Sequence, residues 1–255
     1  MPFTLDLLVQ FRIYSNRTGQ GGGDKTSVTE KTMSQQFLKL IQTGATAEIA
    51  TAAEADPSLI QARDSQGVSA LLWSVYAGQP MVRDYLLAQL ATHGALLDVF
   101  EAAAVGDVLR LEDILAANPG AVHCFSGDGW TPLHLAAAFG TPQAVDLLLQ
   151  HGAHVDAVSR NPQRNQPLHA TLALGRNPET VRLLLGHGAD PNATQVGGFT
   201  ALFSAAAANC RELVEALIDS GARPQHRNDF GKTPAEFARE RGHTELAEWL
   251  DRQPA

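Results

Sequence analysis

Long apolar runs are missing from this 255-residue chain. No stretch approaches the ~20 apolar residues that a membrane-spanning helix needs, although 44% of its residues are hydrophobic. The opening stretch, MPFTLDLLVQFRIY, has no basic n-region, and Asp6 and Arg12 interrupt its apolar run, so it does not read as a secretory signal. Cysteine is scarce: Cys124 and Cys210 stand alone, with no CxxC. That excludes a disulfide scaffold and predicts a reducing, cytoplasmic setting without redox or zinc chemistry. Aromatics make up only 6%, so the core must rest on alanine and leucine. Basic residues are outnumbered, 19 to 27, for a net charge of −8, which argues against a nucleic-acid backbone as partner.

What the chain does have is a pattern, clearest in GDGWTPLHLAAAFGTPQAVDLLLQHGA, residues 127–153. Thr131 suits a helix N-cap, and Pro132 suits the first turn, where its missing N–H would be an orphan anyway. Leu133, Ala136 and Ala137 share one face, and Gly140 ends that helix. A second helix follows from Pro142, with Val145, Leu148 and Leu149 at the spacing of a buried stripe. Gly152 stops it. Two short antiparallel helices cannot bury both faces alone, so the unit needs neighbours of its own kind.

Those neighbours are in the sequence. Aligned on Thr131, the pattern recurs at Ser69, Leu97, Gln166, Thr200 and Thr233. The first interval is 28 residues and the others run from 33 to 35. The second-helix stripe recurs too, for example as Val181, Leu184 and Leu185. Helix-ending Gly-Ala pairs fall at Gly152, Gly188 and Gly221.

TPLHLAAAFG at 131, QPLHATLALG at 166, TALFSAAAAN at 200, TPAEFARERG at 233 and HGADPNA at 187 resemble the ankyrin repeat family. The resemblance implies an all-α solenoid of stacked helix–turn–helix units joined by short β-turn fingers. It covers residues 34–253: an N-terminal cap over 34–61, repeats near 62–96, 97–125, 126–156, 157–192 and 193–224, and a charged capping repeat over 225–253. The second unit has no Gly-x-Thr finger, and its short spacing leaves no room for one. In the fourth, Arg164 replaces the finger glycine and Gln166 the threonine. Residues 1–33 are polar, Gly/Thr-rich and aperiodic, and read either as a disordered tail or as lying upstream of a true start at Met33.

Candidate chemistry is thin. GQGGGDKT, residues 19–26, nearly fits a phosphate-binding loop, but Asp24 stands where glycine is needed and no βαβ alternation follows. His134 and His169 occupy one repeat position, where the resemblance implies that the imidazole bonds a finger. Two histidines a repeat apart do not make a zinc site. Every other Ser, His or Cys in the repeats falls on a periodic position or a finger. The chain is therefore expected to be a non-enzyme without cofactor or metal.

What remains is surface. The resemblance implies a concave groove lined by finger tips and by the two residues before each first-helix glycine. Partner-binding candidates from the helix ends are Tyr76, Phe139 and Leu174. Those from the fingers are Asp128, Trp130, Phe199 and Phe230, because aromatics concentrate where binding energy does. The finger before Gln166 is two residues longer than its neighbours and adds Arg160 and Arg164. Residues 1–33 carry a net +1, so this basic tip stands on a remainder of −9. The expected function is protein binding by a monomer, as an adaptor or a stoichiometric regulator. An enzyme with an unrecognised site and a structural spacer are the alternatives.

Overall fold

The computed structural model describes residues 25–254. It is helical throughout, with isolated bridges at Arg63–Ser69 and Gln195–Phe199 as the extended pairings among the described residues. The chain divides into two compact units at Glu101/Ala102.

The first unit begins with α1 (Lys25–Thr43) and α2 (Thr46–Ala55). A 3₁₀ turn (Pro57–Gln61) leads to α3 (Ala70–Tyr76) and α4 (Pro80–Thr92). The start of α1 corrects the expectation of a disordered stretch to residue 33, since its last residues from Lys25 are helical. Adding a residue to an existing helix is far easier than nucleating one, so the cap helix extends into a polar segment that could not start it. The phosphate-loop look-alike lies mostly outside the described residues. Phe37, Ile41, Ile49, Leu71 and Leu86 form the core. Asp64 shapes the first finger: its carboxylate accepts from the amides of Gln66 and Val68 at 2.8 and 3.0 Å.

At the second repeat the register corrects the sequence alignment by one residue. Asp98, not Leu97, caps α5 (Val99–Val105), accepting from the amides of Phe100 and Glu101 at 2.9 Å each. The Glu101 carboxylate reaches back to the Asp98 amide at 2.9 Å, closing a capping box. Aspartate caps because its oxygen can satisfy an orphan N–H, which leucine cannot. No finger precedes this helix. Instead Arg63, from the first finger, bonds Asp98 at 2.9 Å and Glu101 at 3.2 Å.

The second unit continues with α6 (Val108–Ala117) and a 3₁₀ turn (Pro119–His123). Then come α7 (Pro132–Phe139) and α8 (Pro142–Gln150). The fourth repeat holds α9 (Pro167–Ala170), which runs into a wide turn (Thr171–Gly175), and α10 (Pro178–Gly186). The pairs α11 (Ala201–Ala207) with α12 (Arg211–Asp219), and α13 (Pro234–Arg239) with α14 (Thr244–Asp251), complete it. Thr131, Thr141, Asn177 and Thr233 each accept a backbone N–H at a helix start. Proline stands in the first turn of five of these helices, where it removes no bond. Leu133, Val145, Leu148, Leu168, Val181, Leu184 and Leu217 are buried, so the periodic stripes do face the core.

Candidate functional site

Each finger of the second unit is a narrow turn closed on itself. Ser126 bonds Trp130, Gln195 bonds Phe199 and Asn228 bonds Lys232, backbone to backbone at 2.8–3.0 Å. In the fourth repeat the same closure joins Ser159 to Asn165 at 2.8 Å, so its turn is longer by two residues. The fingers are laced together. Arg160 N–H donates to Gly129 O, Val196 N–H to Gln163 O and Asp229 N–H to Gly197 O, at 2.8–3.1 Å.

Histidines tie finger to helix. Nε2 of His134 bonds the Asn165 carbonyl at 3.1 Å, and Nε2 of His169 bonds the Ala193 carbonyl at 3.1 Å. A carbonyl only accepts, so Nε2 carries the proton in both. Nδ1 of His134 then accepts from the Thr131 hydroxyl, 2.7 Å away. Burial pushes both imidazoles down from 6.5 to about 4, holding them neutral. The structural role implied for these histidines is the one observed.

Two of the aromatic candidates are not surface residues. Trp130 is 2% exposed: its ring stacks on Phe139, centroids 6.1 Å apart, and lies 5.7 Å from His134. Tyr76 is buried beside Trp73 in the first unit. Both correct the reading as partner anchors. A large ring gains more by packing on neighbouring rings inside than by facing water. Asp128 is half-buried and bonds Ser126 within its own turn. Phe139 and Leu174 are half-buried and present part of their surface.

Phe199 and Phe230 are brought together, centroids 6.1 Å apart, over Phe203 and Phe237. Phe199 is half-buried in this cluster, while Phe230 is 70% exposed. Val158 and Val196 are also exposed, on the two preceding fingers. Arg241, one of the two residues before Gly242, lies with its guanidinium 3.8 Å over the Phe237 ring.

The arginines carry the least expected geometry. Arg160 is exposed, its guanidinium 3.8 Å over the Phe125 ring. Arg164 is exposed with φ +49°, where Gly129, Gly198 and Gly231 of the other fingers have φ +85°, +71° and +76°. Arg176 is likewise exposed with φ +52°, at the helix end where Gly106, Asn209 and Gly242 stand left-handed in other repeats. A side chain in this region costs about 1 kcal/mol relative to glycine. Gly175 stands nine residues after Gln166, as Gly140 does after Thr131, so spacing alone passes over Arg176. The wide turn accounts for the difference. Arg176 N–H bonds Thr171 O at 2.6 Å, five residues back, which absorbs one extra residue and moves the helix end on by one. The legible signal was the interval from Gln166 to Gly188, one residue longer than that from Thr131 to Gly152.

Among the described residues, no group of three His, Cys, Asp or Glu side chains could hold a metal ion. No helix among them is long and apolar enough to cross a membrane.

Comparison with known proteins agrees with this architecture. The mouse B-cell lymphoma 3 protein homolog is 40% identical over 114 residues, 45% of this chain and 25% of that protein. Mouse ankyrin repeat and SOCS box protein 16 is 40% identical over 115 residues, 42% of this chain and 25% of that protein. The chain thus spans about a quarter of the length of these two relatives. Bovine cyclin-dependent kinase 4 inhibitor B is 34% identical over 125 residues, 49% of this chain and 92% of the inhibitor. The family model for ankyrin repeats in three copies matches residues 99–195 and 170–253, more than half of the sequence. With capped helix pairs, laced fingers and histidine ties in each of the matched repeats that bears the motif, the chain belongs to the ankyrin repeat family of protein–protein interaction modules.

Proposed function

We propose that the chain is an adaptor or stoichiometric regulator that engages a protein partner through the fingers and first-helix ends of residues 102–255. The observation that carries this reading is the row of exposed apolar side chains on three successive fingers: Val158, Val196 and Phe230, at 41, 58 and 70% exposure. Water-facing apolar side chains on adjoining turns, with charge close by, are what a partner's anchor residues would cover. One relative is named as an inhibitor of cyclin-dependent kinase 4, which supports a regulatory role. Arg160 and Arg164 extend the same fingers with positive charge, which favours a partner surface of opposite sign.

The test is affinity capture with the whole chain, alongside a Val196→Glu, Phe230→Glu double variant. The expected outcome is a saturable one-to-one partner retained by the wild type and lost by the variant, with circular dichroism unchanged. Equal retention by both proteins would move the binding face elsewhere.

A further inference from the structure

The finger and first helix of the fourth repeat, residues 157–178, hold Arg160, Arg164 and Arg176 and no aspartate or glutamate. The chain around them is acidic, at −8 overall. Other finger cations are neutralised within their own unit: Arg63 by Asp98 and Glu101, Arg227 by Glu236, and Lys232 by Glu240. Arg164 and Arg176 join no ion pair among the described residues.

These two are also backbone outliers. The described residues contain three non-glycine positions with positive φ, and Arg164 and Arg176 are two of them. Glycine would adopt either conformation without strain. The fold therefore holds two strained residues, one on the finger and one at the end of the helix that follows it, whose charges it does not use. Strain without an internal return points outward, to a ligand.

We propose that this face docks an acidic segment of a partner protein, in extended form, with one carboxylate on each of these arginines. The inference rests on the protein-binding reading above and narrows the partner's chemistry. The helical stretch Pro167 to Gly175 lies between them. The partner's aspartates or glutamates are therefore not neighbours in its sequence, and half-buried Leu174 meets an apolar side chain between them. Guanidinium takes carboxylate through two parallel hydrogen bonds, which fixes direction as well as charge. Elsewhere the acidic body repels such a segment, so register is set at this repeat.

The test pans a phage-displayed library of random linear peptides against the full chain and measures the enriched peptides by fluorescence polarisation. Enriched peptides should carry a pair of separated acidic residues and weaken as salt rises. Arg164→Glu and Arg176→Glu should each weaken them about tenfold or more. Arg164→Gly and Arg176→Gly should also weaken them, yet each should melt about 2 °C higher than wild type. Glycine variants that melt lower would make the arginines structural and overturn the proposal. So would an absence of enriched peptides, or enriched peptides without acidic pairs. Peptides that ignore the arginines but are lost in Phe230→Glu would overturn it while leaving the protein-binding reading intact. Arginine-dependent binding of oligothymidylate or phosphatidylserine vesicles at the peptides' affinity would overturn the choice of an acidic protein.

Discussion

His134 donates from Nε2 to the carbonyl oxygen of Asn165, 31 residues further along the chain and 3.1 Å away. The bond crosses from the first helix of one repeat to the finger of the next, in a buried setting. His169 repeats it toward Ala193. Both rings are held neutral, with pKa lowered by burial from 6.5 to about 4.

That sets a pH dependence. Between about 4 and 6.5 the unfolded chain binds more protons than the folded one at these two sites. Stability therefore rises with pH through that window and is fully present above it. Lowering the pH from 7 to 5 should cost roughly 2 kcal/mol per histidine. Urea denaturation at the two pH values measures it, and His134→Gln should remove about half of the effect. A flat profile would contradict the assignment.

Trp130 should matter for folding and not for recognition. It is 2% exposed and stacked on Phe139. Trp130→Ala should cost about 3–5 kcal/mol in chemical denaturation. Phe230, 70% exposed, should cost well under that when cut to alanine. Similar losses for both would mean that the two rings are buried alike.

Gly175 and Gly186 should respond in opposite directions to alanine. A Cβ on Gly175 would lie 2.8 Å from Ala138 O and 3.0 Å from Ala137 O, so the two first helices would be pushed apart. Gly175→Ala should destabilise by roughly 2 kcal/mol. Nothing lies within 4 Å of a Cβ on Gly186, at the end of α10. Gly186→Ala should be neutral or stabilise by up to about 1 kcal/mol. Melting curves of the two variants decide it.

Arg63 stands in for the missing finger of the second repeat. It bonds Asp98 and Glu101, and the Glu101 side chain is 8% exposed. Arg63→Ala leaves a buried carboxylate with fewer partners and should cost about 1–2 kcal/mol, discounted because the arginine itself is half in water. Native-state hydrogen exchange should report the loss first at amides of α3 to α5. Uniform loss of protection along the chain would show that this bond is not a local tie.

Composition and spacing alone determined that the chain is helical and built of units that need one another. The 3.6-residue stripes, the Thr-Pro starts and the glycine stops leave little choice of local structure, because capping and burial act within a turn or two. They also placed Phe230, Arg160 and Arg164 on fingers. Tertiary structure decided the rest. Whether an aromatic on a finger or a helix end faces water depends on what packs around it in space, so Trp130 and Tyr76 went inside while Phe230 stayed out. A one-residue insertion has no signature in a pattern of apolar positions until a helix must absorb it, which is how Arg176, and not Gly175, came to end the fourth repeat's first helix. Charge pairing is likewise a matter of distance in space: the sequence shows that Arg63, Arg164 and Lys232 are basic, and the fold alone settles which of them meet a carboxylate.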